Sequence, residues 1–169
     1  MRASLCGMNF HPLDEFFLRH DEPVSDFQCR EIFFAHKLND AGGENDLARY
    51  TENLGAIFDK TAAIGAECIF ITENMMCSKV SCHLDDENLR KTAQKLASTQ
   101  KSGLLKAYFE AAKNVAAAHN VKVCDIYSAW EKMSAHGVDT TELLANKLNH
   151  PIKQLHRYTA LKLIETMFE

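Results

Sequence analysis

From residue 31 onward the chain alternates between short, continuous apolar runs and longer stretches in which apolar positions recur every three or four residues. EIFFAH, starting at Glu31, predicts a buried strand. LARYTENLGAIFDKTAAIG predicts a helix with Leu47, Tyr50, Leu54, Ile57 and Phe58 on one face, stopped by Gly65. ECIFIT is a second strand. After the loop ENMMCSKVSCHLDDE come two helical stretches, ENLRKTAQKLAST and SGLLKAYFEAAKNVAAAHN, the latter with Leu104, Leu105, Tyr108, Ala112 and Val115 at helical spacing. VKVCDI is a third strand, followed by a helix over YSAWEKMSAHG and a short turn at TTELLAN. PIKQLHRYTALKLIETMF predicts a last helix, with Pro151 at its first position, where a missing N–H costs nothing.

Strands separated by helices imply parallel pairing through right-handed crossovers, and hence a three-layer α/β/α sandwich. No repeat, low-complexity tract or long linker interrupts the pattern, so residues 1–169 are expected to form a single domain. In sheets of this kind ligands bind beyond the carboxyl ends of the strands. That rule singles out His36 to Asp40 after the first strand, Thr72 to Asn74 after the second, and Asp125, Tyr127 and Ser128 after the third. His150, in LNHPIKQLH before the last helix, lies in a loop able to reach the same edge.

The composition, 46% hydrophobic and 25% charged over 169 residues, is that of a globular domain with a real core. A net charge of -4 without a basic run argues against a nucleic-acid partner. No apolar stretch approaches the roughly 20 residues of a membrane span, and MRASLCGMNFHP has no apolar central region of a secretory signal, so a soluble, cytoplasmic protein is expected. Six scattered cysteines at this length suggest reduced thiols, with Cys68 and Cys124 buried in strands. Cys77, Cys82 and His83 could approach a soft metal, but a structural zinc needs four ligands and a second pair is lacking; no metal or cofactor is expected. Asp125 and the DDEN segment read as helix starts. Met75 and Met76 read as packing, and His156 as a partly buried helix residue.

FFAHKLND at a strand end, GAECIFITENMM, and NHPIKQLH before the terminal helix together resemble the SGNH (GDSL-type) hydrolases, and SLCGMNF resembles that family's second sequence block. The resemblance implies a flavodoxin-like parallel sheet and carboxylic-ester hydrolysis. It places the general base on His150 and the oxyanion hole on the side-chain amide of Asn39 and the backbone N–H of Gly7. The chemistry suits these residue types. Preorganised donors stabilise the charge that develops on an ester carbonyl, and an imidazole, ordinarily titrating near neutrality, can take a hydroxyl proton and return it to the leaving group. Asn45 and Asp46 in GGEND also resemble the asparagine block, but Asn39 follows its strand directly.

The chain departs from the family pattern in three places. It holds no Gly-Asp-Ser, so the first strand with its serine nucleophile is expected to be missing, and Ser4 precedes Gly7 without a turn to present it. Lys147 stands three residues before His150, where the family has an aspartate that orients the imidazole; Asn146, Asn149 or a backbone carbonyl is left to accept the ring N–H. Lys37 takes the place of a glycine near Asn39. In the family's strand order the missing strand lies between EIFFAH and ECIFIT, so its loss would leave EIFFAH with an unpaired apolar edge open to a second copy. The expected function is thus an esterase or acetylesterase acting on a small ester, such as an acetylated carbohydrate or a lipid ester, inactive or nearly so as this chain stands. The alternative is a non-catalytic α/β module derived from a hydrolase, binding a ligand or pairing with another subunit.

Overall fold

The structure, a computed structural model, describes the backbone of residues 31–35 and all of residues 47–169. Among the described residues three strands, β1 (Glu31–Ala35), β2 (Glu67–Ile71) and β3 (Lys122–Cys124), form a sheet in the order β1-β2-β3. Among the described residues five helices accompany them: α1 (Leu47–Ala63), α2 (Glu87–Ser102), α3 (Leu104–Ala118), α4 (Ile126–Ala135) and α5 (Lys153–Phe168). β1 and β2 pair directly in parallel with Phe33 opposite Ile69, so no strand is missing between them and the unpaired edge expected of EIFFAH on that side is filled by β2. No helix among the described residues is long and apolar enough to cross a membrane.

The chain divides into two compact units. The first contains β1, α1, β2, the part of α3 from Tyr108 and β3 as far as Val123. Its core follows from the spacing on α1. Tyr50, Leu54, Ile57 and Phe58 are buried on one face and cluster with Cys68 and Phe70 of β2 and with Tyr108, Ala112 and Ala116 of α3. Phe58 meets Phe70 edge-on, with ring centroids 6.3 Å apart, and Tyr50 lies 5.0 Å from Tyr108. Burying one such ring contributes about 1.5–3 kcal/mol. Cys68, Ile69 and Phe70 are buried in succession, the continuous apolar pattern of a parallel strand. Gly55 makes close helix contact possible, since a methyl group there would stand 3.2 Å from Nε2 of His119. The other ring nitrogen of His119 is 2.9 Å from Asp59 Oδ1. Gly65, at φ 70°, ends α1 as expected.

The second unit comprises residues 72–107 and 124–169. Asp86 caps α2 by accepting the Leu89 N–H at 2.9 Å, and Gly103, at φ 76°, closes its other end. Asp125 caps α4 by accepting the Ser128 N–H at 3.0 Å. The same carboxylate accepts the Thr72 hydroxyl, which in turn accepts the Tyr127 N–H at 2.9 Å. Because Asp125 turns into this cap, β3 ends at Cys124 and is shorter than VKVCDI suggested. Met75 and Met76 are buried, as packing residues should be.

Three further expectations need correction. The last helix begins at Lys153, because Pro151 forms an antiparallel bridge with Leu144 and Ile152 is extended at ψ 160°. His156 is exposed, on the outer side of that helix. Leu47 and Leu104, each the first residue of its helix, are 38% exposed, so these ends of the two apolar faces are not buried.

Candidate functional site: the His150 loop

Of the three residues assigned to the chemistry, His150 is described; Gly7 and Asn39 lie outside the described residues. The geometry of the loop that carries His150 belongs entirely to the second unit.

Two segments build it. The first continues from β2 through Thr72 to Ser78. Thr72 is fully buried and donates its N–H to Cys124 O at 3.1 Å, extending the strand contact past β2. Gln100 of α2, also buried, accepts the Met76 N–H at 2.9 Å and donates to the Tyr127 hydroxyl at 2.8 Å, which fixes the path of the chain after the strand. The second segment runs from Asp139 to Ile152. Asp139 accepts the Thr141 N–H at 3.1 Å, and successive N–H groups of Glu142, Leu143 and Leu144 bond three residues back. The chain then loops through Asn146 to His150 and is closed by two backbone bonds, Ala145 N–H to His150 O at 2.7 Å and Ile152 N–H to Leu143 O at 3.0 Å.

The segments are stitched together by polar contacts. Asn74 donates to the Asn149 carbonyl at 3.1 Å, the Cys77 N–H to the Leu148 carbonyl at 2.7 Å, and the Ser78 N–H to the Thr141 hydroxyl at 3.0 Å. The His150 loop is thereby tied to the segment that leaves the carboxyl end of β2, the region where the sheet rule locates function.

Inside the loop, Asn146 is the hub. Its Oδ1 accepts three backbone N–H groups, those of Leu148, Asn149 and His150, at 3.1, 3.0 and 3.0 Å. Its Nδ2 donates to Asn149 Oδ1 at 3.0 Å. Lys147 adopts φ 56°, a left-handed conformation uncommon for a residue with a side chain. Its ammonium turns back to Glu142, 3.0 Å from the carbonyl and 2.8 Å from Oε2. So Asn146 and Asn149, considered above as acceptors of the ring N–H, spend their side-chain oxygens elsewhere. Among the described residues nothing hydrogen-bonds to the His150 ring, which stands exposed.

The charges around the loop are paired at its base. The Lys147 ammonium and the Ser81 hydroxyl hold the Glu142 carboxyl below its ordinary range, and Lys79 does the same for Asp139. Cys77 is buried, with its thiol pushed up by burial and its Sγ 3.5 Å from Ala93 O, whereas Cys82 and His83 are exposed. An imidazole on a fixed backbone with an open ring can exchange a proton with whatever group is brought to it.

No protein-family model and no curated protein matches the sequence. Solved structures do. An acetylxylan esterase from Geobacillus stearothermophilus superposes with a TM-score of 0.63 at 15% identity, over 92% of this chain and 67% of that one. The acetyl xylan esterase AlAXEase gives 0.67 at 14% identity, over 92% and 75%. A protein described as a GDSL-like lipase, from Parabacteroides merdae, gives 0.67 at 12% identity, over 92% and 68%. The fold is that of the SGNH/GDSL-type hydrolases. At these identities the likeness concerns the α/β fold with its parallel sheet, not individual residues.

Sequence reasoning named Asn146 only as a possible acceptor of the His150 ring N–H and Asn74 only as a strand-end residue, and did not name Gln100. A signal for the first was present: two asparagines at 146 and 149 just before a proline-bounded histidine are the residue type that bonds nearby backbone N–H groups.

Proposed function

We propose that this chain is an SGNH/GDSL-type ester hydrolase module in which His150 is the general base and Gly7 and Asn39 are the oxyanion donors. The substrate class is a small carboxylic ester, such as an acetylated carbohydrate or a lipid ester. The observation that carries the reading is the His150 loop itself: a backbone held at every turn, tied to the segment that leaves β2, supports an imidazole whose ring is left open. A histidine serving only to pack a helix start would be covered. The hydrolase fold supports the same direction.

With no Gly-Asp-Ser in the sequence, the only nucleophile His150 is assigned to activate is water, so the expected rate on an activated ester is low. Hydrolysis of p-nitrophenyl acetate tests this. A slow rate above buffer that falls in His150→Ala is expected; no turnover above the buffer rate would overturn the enzyme reading of this chain.

A further inference from the structure

The family pattern places an orienting carboxylate three residues before the histidine, and here that residue is a lysine bonded elsewhere. The loop is nonetheless held. One carboxamide oxygen collects the N–H groups of residues 148, 149 and 150, so the backbone of His150 is fixed directly and not through its ring. Such threefold acceptance requires the chain to curl around the acceptor, and the left-handed turn at Lys147 supplies the curl. The Glu142–Lys147 pair closes the turn from outside, and the Asn149 side chain, bonded to Asn146 Nδ2, closes it from within.

We infer that Asn146 is the positioning residue of this site: it holds the backbone that presents His150, in place of a carboxylate holding the imidazole. The inference rests on reading His150 as the base, and it deepens that reading. It also separates two duties that a single orienting aspartate would combine. Backbone placement belongs to Asn146, while the choice of ring tautomer is left to the molecule that enters the site. An aspartate at 146 keeps the acceptor oxygen, and a turned Asn149 amide could donate to its second oxygen; an alanine keeps neither.

The test compares wild type, Asn146→Ala and Asn146→Asp as full chains, by amide hydrogen exchange and by the His150 ring resonance, assigned through its absence in His150→Gln. In Asn146→Ala the amides of residues 148–150 should exchange at least about tenfold faster, because all three lose their acceptor, and the ring resonance should shift or split. Asn146→Asp should restore both. Unchanged exchange in Asn146→Ala, or an Asn146→Asp variant as open as the alanine, would overturn the inference. These readouts need no turnover. Inert wild type with the expected exchange pattern would remove the hydrolase reading and leave Asn146 as the holder of the loop; His150-dependent turnover with unchanged exchange would do the reverse.

Discussion

The apolar cluster of the first unit and the His150 loop of the second are both well defined, but by opposite means. The cluster is made of side chains that repeat at helical spacing on α1 and alternate on β2, and its members are interchangeable in kind: another apolar residue of similar volume would serve. The loop is made of single polar side chains, each reaching backbone groups that no repeat announces. Apolar burial is non-directional and scales with area, so it fixes where elements pack. Hydrogen bonds to backbone fix where one residue stands, and leaving one unmade costs more than making it contributes.

The largest effect should come from the cluster. Phe58→Ala removes a ring that is 2% exposed and its edge contact with Phe70, and should lower stability by about 3–5 kcal/mol in denaturant titrations followed by circular dichroism. A loss under about 1 kcal/mol would mean that the cluster is not what holds the first unit. Next comes Gln100→Leu, which keeps the volume but removes the acceptor of the buried Met76 N–H and a partner of the Tyr127 hydroxyl. A loss of about 1–3 kcal/mol is expected; a neutral outcome would show that polar fixation of the segment after β2 is dispensable.

The smallest effect is local and depends on pH. The folded-state pKa of Glu142 is lowered, first by Lys147 and then by Ser81, so its contribution is present above the ordinary carboxylate range and disappears as pH falls through the lowered value. Asp139, lowered by Lys79, acts in the same direction. Amide protection over residues 142–147 should therefore decline on acidification below about pH 4, while protection in α1 persists. In Glu142→Gln the decline should be shallower, with only Asp139 left to drive it. An identical acid profile in that variant would mean the Glu142–Lys147 pair does not hold the turn.

The same contrast explains what the sequence disclosed. Periodicity located β2, α1, α2 and α4 closely, because each is specified by many residues acting together. The start of α5 was misplaced by two residues because Pro151 fits a helix start as well as it fits the bridge to Leu144, and only the bridge partner decides. His150 was legible as a candidate through a short pattern that resembles the SGNH hydrolases. Its support was not, because Lys147 in the aspartate position drew attention to a missing partner for the ring, whereas the loop is held through backbone N–H groups by Asn146. His156 shows the limit from the other side: its helical position was clear, but its exposure depends on which face α5 turns inward.

His156 is also the natural control for the central claim, being a second exposed histidine six residues further along, on a helix and without any of the loop's hydrogen bonds to backbone. The direct measurement is p-nitrophenyl acetate hydrolysis by wild type, His150→Ala and His156→Ala side by side. The rate above buffer should fall in His150→Ala and stay at the wild-type level in His156→Ala. Equal rates in all three proteins, or an equal fall in both variants, would contradict a base built at His150.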